Sequence, residues 1–226
     1  MDWASNCNVG VGNYVMDAAM DGATYNTALG YRALGALTTG INNVAVGTDA
    51  LIASTTGSNN VAVGTNAGKE VTTGGNLTFI GYKAGESSTD TNNTVVIGND
   101  AGRDADLGDY AVYIGTYSGL SATGASNTLV GYNTGVRLSS GTSNTYMGSN
   151  AGTGNHTGTG NVYLGYESGT GVNDNANSNN AGVGYRSLYA ITTGDSNVAV
   201  GSGSQDSTTT GSGNVTVGKG SGESIN

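Results

Sequence analysis

Apolar and polar positions alternate along the chain in a short motif that returns about every 17 residues. The clearest copies are 43–47, 60–64 and 197–201, which all read Asn-Val-Ala-Val-Gly. Apolar residues at every second position are typical of a β-strand, because successive side chains of a strand point to opposite faces. We use the glycine that ends each motif as its anchor. The pattern predicts one short strand per repeat, ending at the anchor.

The anchor glycine divides the whole sequence into thirteen repeats. The anchors are Gly12, Gly30, Gly47, Gly64, Gly81, Gly98, Gly115, Gly131, Gly148, Gly165, Gly184, Gly201 and Gly218. A fixed period of this kind is typical of solenoids, in which each repeat forms one coil and stacks on the next. We therefore predict an all-β fold, a parallel β-solenoid of about thirteen 17-residue coils. The repeats cover residues 1–226 as a single domain, and no second domain is expected.

Two columns of apolar residues run through the repeats, one and three positions before the anchor. We expect both columns to face the interior of the coil, because β-branched residues suit a pleated, packed surface. The column between them, two positions before the anchor, then points outward. In the middle repeats this column is large, and such a patch predicts a subunit interface, a second core being the alternative. Its members are Phe79, Val96, Tyr113, Leu129, Tyr146 and Tyr163.

Asparagine stands four positions before the anchor in ten of the thirteen repeats. Stacked asparagine amides can bond one another from coil to coil, so this column predicts a structural ladder. The ladder includes Asn43, Asn60, Asn127, Asn144, Asn161 and Asn197. Three positions after the anchor the residue is nearly always small, and the next one is usually Gly or Leu. We read each repeat as a strand, a glycine turn, a second short strand and a loop. The core is too thin to hold a cofactor.

Composition narrows the functional classes. The chain has 41 glycines, no proline, one cysteine and a net charge of −9. A single cysteine excludes an intrachain disulfide framework, and the negative charge is opposite to what nucleic-acid phosphates attract. No apolar run approaches the roughly 20 residues that span a bilayer, so we expect no membrane insertion.

Catalytic and metal-binding motifs are weak. The only histidine, His156, lies in a glycine-rich turn with no nucleophile and acid placed beside it by any motif, and we predict no enzymatic activity. Asp104, Asp106 and Asp109 are weak candidate calcium ligands, with a solvated loop as the alternative. The segment 171–178, in the longest spacing between anchors, is open to the same two interpretations.

Tyrosine often follows the anchor directly. These tyrosines are Tyr31, Tyr82, Tyr132, Tyr166 and Tyr185. Exposed tyrosine is a common contact residue for carbohydrate and protein partners, so the column is a candidate receptor contact. The alternative is that the rings pack at a corner of the coil.

The repeat at 43–51, Asn-Val-Ala-Val-Gly-Thr-Asp-Ala-Leu, resembles the head repeats of YadA-like trimeric autotransporter adhesins. The variants Gly-Tyr-x-Ala-Leu at 30–34 and Thr-Thr-Gly-x-Asn-Asn at 38–43 are similar to repeats of phage tail fibres, which an autocleaving intramolecular chaperone often follows. The resemblance implies a left-handed parallel β-roll that assembles as a parallel homotrimer. The repeats here are longer than the common adhesin repeat.

Together these observations favour a non-enzymatic fibrous protein on the outside of a virion or a bacterial cell. The leading hypothesis is a tail-fibre-type shaft or receptor-binding fibre that attaches to a host-surface glycan or protein. The alternatives are a bacterial trimeric adhesin head, an extracellular filament subunit that polymerises head to tail, and an ice-binding solenoid that uses the Thr-Thr-Gly turns.

Overall fold

The computed structural model describes residues 7–172, 175–223 and 225, and its regular structure there is entirely β. Thirteen strands of three residues occur in this part of the chain, one per repeat, and each ends directly before its anchor glycine. Neighbouring strands pair in parallel from one coil to the next. The predicted parallel β-solenoid is therefore confirmed. The described residues form no helix that is long and apolar enough to cross a membrane.

The chain divides into two compact units, 1–111 and 112–226, and both carry the same repeat. Six strands belong to the first unit, namely β1 (Val9–Val11), β2 (Thr27–Leu29), β3 (Val44–Val46), β4 (Val61–Val63), β5 (Thr78–Ile80) and β6 (Val95–Ile97). Each strand pairs with the next in register, as when Val44 lies beside Val61 and Val46 beside Val63. Equivalent columns therefore stack directly on one another.

The second unit contains seven strands in the same arrangement. They are β7 (Val112–Ile114), β8 (Thr128–Val130), β9 (Thr145–Met147), β10 (Val162–Leu164), β11 (Ala181–Val183), β12 (Val198–Val200) and β13 (Val215–Val217). The long spacing before β11 does not disturb the register, since Tyr163 still pairs with Gly182. The extra residues are accommodated in the loop.

The strands face the opposite way from the sequence expectation. The middle residue of each strand from β2 to β12 is buried, whereas the residues one and three positions before the anchor are half-buried or exposed. The two columns that were expected to face inward, one and three positions before the anchor, therefore form the outer face of the sheet. The interior is instead lined by the middle residue, the asparagine column and the small residues after the anchor.

The middle residue and the residue four positions after the anchor share one space inside the coil. Where the middle residue is large, the partner position is glycine, and a Cβ on Gly85 would lie 2.7 Å from the ring of Phe79. Ala62, whose partner is Gly68, is an exception, but in three other coils with a small middle residue, at Ala28, Ala45 and Gly182, the partner is a buried leucine. These leucines are Leu34, Leu51 and Leu188. The two positions therefore complement each other in volume, which keeps a thin core closely packed.

The anchor glycines allow adjacent coils to approach closely. Gly64 has φ of 140°, and a Cβ there would lie 2.3 Å from the carbonyl oxygen of Gly81. Other residues rarely adopt this backbone conformation, and none could fit beneath that carbonyl. Glycine at the anchor is thus required by both conformation and space.

The expected second strand is absent from the described coils, and tight turns replace it. The residues two and four positions after the anchor both have positive φ, as at Asp49 (57°) and Leu51 (49°). Hydrogen bonds three residues apart close these turns, as from Val71 N to Gly68 O at 3.1 Å. Alternating left-handed residues cannot continue a strand, so the chain turns sharply after each anchor.

The asparagine ladder is confirmed. Asn144 donates from Nδ2 to Asn127 Oδ1 at 3.1 Å and to the Gly158 carbonyl at 2.9 Å, and Asn161 repeats the first bond to Asn144 at 3.2 Å. Asn43, Asn60 and Asn197 also bond the asparagine of the preceding coil. The column is interrupted in the first unit by Leu77, Thr94 and Ala111. Outside this interruption, successive coils are joined by the asparagine side chains as well as by backbone hydrogen bonds.

Candidate functional site

The six residues predicted to form a subunit interface are in the core. Each has 0% of its surface exposed, and they are Phe79, Val96, Tyr113, Leu129, Tyr146 and Tyr163. That prediction is wrong because the strands present their middle residue to the interior. The prediction treated the uniformly apolar columns as core, although the asparagine column has the same parity as the middle residue and lies with it in the interior.

The outer sheet face is the surface that those uniform columns make instead. We define it as the side chains one and three positions before each anchor, such as Val44 and Val46 on β3. These side chains are Val, Ile, Leu, Met or Thr in every strand except β11, which begins with Ala181. Leu29 is 49% exposed and Met147 is 45% exposed. A contiguous apolar surface of this kind is how soluble proteins commonly contact a partner.

The tyrosines that follow the anchors are exposed, and two of them stack on each other. Tyr31, Tyr82, Tyr132, Tyr166 and Tyr185 all lie at the surface. Tyr166 and Tyr185 stack with ring centroids 5.6 Å apart and planes inclined by 9°. Lysine or arginine lies close to some of them, as where the Arg32 guanidinium sits 5.1 Å from the centroid of the Tyr31 ring. The column thus combines surface aromatic rings with neighbouring cations, which suits contact with a partner.

The three aspartates considered as calcium ligands are held by protein donors and do not converge. Asp104 pairs with the adjacent arginine at 2.5 Å, and that guanidinium holds the pKa of Asp104 below its usual range. Asp106 accepts bonds from both the backbone N and the Oγ1 of Thr89 at 2.8 Å. Asp109 accepts a backbone bond at 2.7 Å from a residue 17 positions earlier. Among the described residues no three His, Cys, Asp or Glu side chains form a metal-binding group.

The loop at 171–178 is partly described, since Asn173 and Asp174 lie outside the described residues. Asn175 and Asn177 are buried, and Asn177 donates to Asn175 Oδ1 at 2.8 Å. Tyr163 donates its hydroxyl to Asn177. These amides satisfy the polar atoms of the core, so their visible role is structural.

The single histidine lies beside a hydroxyl without an orienting acid. His156 Nε2 is 3.3 Å from Ser139 Oγ, and its Nδ1 is 3.0 Å from the Arg137 carbonyl oxygen. A hydrolytic triad would place a carboxylate at Nδ1. The two side chains are exposed on the loop side and belong to adjacent coils. They therefore form a side-chain hydrogen bond between coils.

The Thr-Thr-Gly turns do not repeat in every coil and so do not form a regular surface. The first threonine of each Thr-Thr-Gly bonds the next coil, as from Thr55 Oγ1 to the Thr72 carbonyl at 3.3 Å. The second threonine is exposed at Thr39, Thr56 and Thr73, but the next two coils carry Asp90 and Leu107 in that column. The column resumes in the second unit at Thr193 and Thr210, so the exposed threonines form separate short runs and not one continuous hydroxyl array of the kind expected for ice binding.

Two clefts lie on the face formed by positions one, two and five after the anchor, one in each unit. The cleft in the first unit has a volume of about 270 Å³ and is lined by Tyr14, Asp17 and Arg32 among others. The cleft in the second unit has a volume of about 250 Å³ and is lined by residues that include Tyr185 and Arg186. Sequence reasoning missed both, although the change from bulky side chains to glycine at position two of the last repeats was a visible signal.

Among the described residues the arrangement offers several surfaces for contact with a partner. Its distinctive elements are an apolar outer sheet face, an exposed tyrosine column and two lateral clefts with mixed charge. Neither a model of a known protein family nor a curated protein matches the chain.

Proposed function

We propose that the chain is a non-enzymatic fibrous surface protein, a tail-fibre-type shaft or receptor-binding fibre that assembles as a homotrimer and attaches to a host surface. The outer sheet face is the observation that carries this proposal. It repeats with every coil, and it is too apolar and too continuous to be explained as scattered surface residues.

A second copy of the same chain is the partner that fits this face best. The face is narrow and regular because equivalent residues stack in register from coil to coil. Within each unit, an identical chain presents the same spacing of apolar residues, so the successive coils of that unit contribute to one interface. A parallel trimer, in which the three faces meet along one axis, is the assembly that the resemblance to adhesin heads and tail fibres implies.

The surfaces that remain outside such an interface support the attachment role. The exposed tyrosines follow the anchor, immediately beyond the outer sheet face, and the clefts lie on the same side. Tyrosine contributes a large apolar ring and a hydroxyl, a combination that is common where proteins bind other molecules. A rigid coil holds these groups at fixed intervals.

Sedimentation velocity of the full chain at micromolar concentration tests the assembly. We expect a trimer, and we expect the double variant Val46→Lys/Val63→Lys to sediment as a monomer because it places two charges on the outer sheet face. The matched control Thr56→Lys/Thr73→Lys adds the same charge to exposed loop positions and should remain trimeric. A monomeric wild-type chain would refute the proposed assembly.

A further inference from the structure

The cleft in the second unit lies where the tyrosine stack stops. Tyr166 covers one face of the Tyr185 ring at a centroid distance of 5.6 Å. The next residue in the same column is Ser202, whose side chain is too small to cover the other face, and both Tyr185 and Ser202 line the cleft. An aromatic face is therefore left open toward the cleft.

Two glycines leave the floor of the cleft without side chains. Gly203 and Gly220 line it at the position two after the anchor. A Cβ at either glycine would meet no heavy atom within 4 Å. The same position carries Arg186 in the preceding coil and asparagine or charged residues in most others. Because glycine has no side chain, these two positions leave a depression about one side chain deep.

The walls of the cleft carry both signs of charge. Arg186 and Lys219 face the carboxylates of Asp206 and Glu223, so the four side chains sum to no net charge. The side chains of Arg186 and Asp206 are 34% and 30% exposed, and the Arg186 Nε lies 3.6 Å from Asp206 Oδ1. Those two atoms are themselves buried, and the guanidinium also lies 3.8 Å from the centroid of the Tyr189 ring. The partly exposed remainder of these two side chains, together with Lys219 and Glu223, places donors and acceptors beside an aromatic face.

We infer that this cleft binds one ring of a neutral saccharide. The C–H face of the sugar would continue the stack on Tyr185 in place of the missing tyrosine, and its hydroxyls would bond the carboxylates and the guanidinium. Balanced charge disfavours an anionic ligand, and a volume of about 250 Å³ suits a single sugar ring better than a folded partner. The inference rests on the proposed attachment role and names the ligand class for it.

The cleft in the first unit also contains a tyrosine and an arginine, but their surroundings differ. Arg32 there is held by Asp49 through two hydrogen bonds of 2.8 Å, and the Ile52 side chain lines the cleft. Tyr14 contacts Tyr31 edge to face at 5.8 Å, so no stack is left incomplete in the same way. We therefore assign the saccharide site to the second unit alone.

Saturation-transfer difference NMR on the full chain tests the inference. The probes are the methyl glycosides of glucose, galactose, mannose and N-acetylglucosamine at millimolar concentration, with glucuronic acid and a tyrosine-containing tripeptide as an anionic and a peptide comparison. We expect transfer to at least one neutral glycoside, with a dissociation constant in the millimolar range. Absence of transfer to all four glycosides, or stronger transfer to the acid or the peptide, would overturn the inference.

Three variants locate the site. Ser202→Tyr inserts the residue that Tyr166 and Tyr185 already supply in this column, so it should fold normally while occupying the space of the sugar and abolishing transfer. Tyr185→Ala should weaken binding about fivefold to tenfold through loss of the aromatic face. Tyr132→Ala is the matched control, because Tyr132 is exposed in the same column and lines neither cleft.

Binding that is unchanged in folded Ser202→Tyr would place the saccharide elsewhere and overturn the inference, while leaving the fibre proposal intact. The reverse result is equally informative. A chain that sediments as a monomer but loses glycoside binding in Ser202→Tyr would refute the trimeric fibre and support the cleft, since every residue of the cleft comes from one chain.

Discussion

Phe79 and Gly85 show how closely two residues 6 positions apart in the sequence depend on each other. The phenyl ring occupies the space in which other coils place a leucine, and Gly68 of the preceding coil also lies against it. The same relation holds for Tyr146 and Gly152, where a Cβ would meet the ring. The residues that fill the core therefore vary along the chain in a paired way.

We predict that Gly85→Leu and Phe79→Ala each destabilise the fold and that the double variant recovers much of the loss. The leucine alone would collide with the ring, and the alanine alone would leave a cavity that costs about 3–5 kcal/mol. Leu51 already adopts positive φ at the equivalent position, so the backbone accepts leucine there. Chemical denaturation of the four proteins measures the coupling, and strictly additive effects would contradict the shared space.

The ladder of asparagines acts at the level of the coil, because each amide joins two successive repeats. Asn144 Oδ1 accepts from both the backbone N and the Nδ2 of Asn161, at 2.9 and 3.2 Å. Its own Nδ2 donates to the preceding coil and to the loop. One side chain thus satisfies backbone groups that the narrow coil would otherwise bury without partners.

Asn144→Ala should lower the free energy of unfolding by about 2–4 kcal/mol, because it removes several buried hydrogen bonds and leaves their partners unsatisfied. Asn99→Ala is the control, since Asn99 is exposed and outside the ladder. Thermal or denaturant unfolding followed by circular dichroism provides the measurement. Equal losses in the two variants would show that the ladder contributes no special stability.

Strand positions, anchors and the ladder could be predicted from the sequence because each depends on residue type at a fixed spacing. Hydrophobicity alone could not predict which face of each strand is buried, since a strand such as Thr-Phe-Ile (β5) or Thr-Leu-Val (β8) has apolar side chains on both faces. Two patterns in the sequence did indicate which face of the strands is buried. Asn43 and Ala45 are two positions apart, so their side chains point to the same face. Large middle residues also occur where glycine stands four positions after the anchor.

The clefts are harder to predict, because they depend on which side chains are absent. Gly203 and Gly220 are two of many glycines in the chain, and only the aligned repeats show that bulkier residues usually stand there. Their effect also depends on Tyr185 in a neighbouring coil, which proximity in the sequence does not reveal.

At the scale of the whole molecule, the large buried aromatic residues are unequally distributed. Burial raises the pKa of Tyr113, Tyr146 and Tyr163, all in the second unit, above the ordinary value of about 10. Among the described residues of the first unit, the large buried aromatic residue is Phe79, whose ring does not ionise. The two units should therefore respond differently to alkaline pH.

We predict that alkaline pH destabilises the second unit first. Because the pKa values of these tyrosines are raised in the folded state, their contribution to stability is complete below the unfolded-state pKa of about 10. This contribution is lost as the pH rises toward the folded-state pKa. Limited proteolysis across this range, with cleavage sites mapped by mass spectrometry, should show early cutting in 112–226. Tyr113→Phe should reduce the sensitivity, and preferential cutting in 1–111 would contradict the prediction.

The volume match inside the coil also carries information about sequence order. In a stack of identical repeats, one coil could be looped out and its neighbours joined without any penalty in packing. Here Gly68 separates Leu51 from Phe79, since a Cβ at Gly68 would lie 3.0 Å from the leucine and 2.9 Å from the phenyl ring. Omission of that coil would bring two bulky side chains into one space. The unequal core residues therefore distinguish each coil from its neighbours and oppose errors of register that the uniform outer columns would permit.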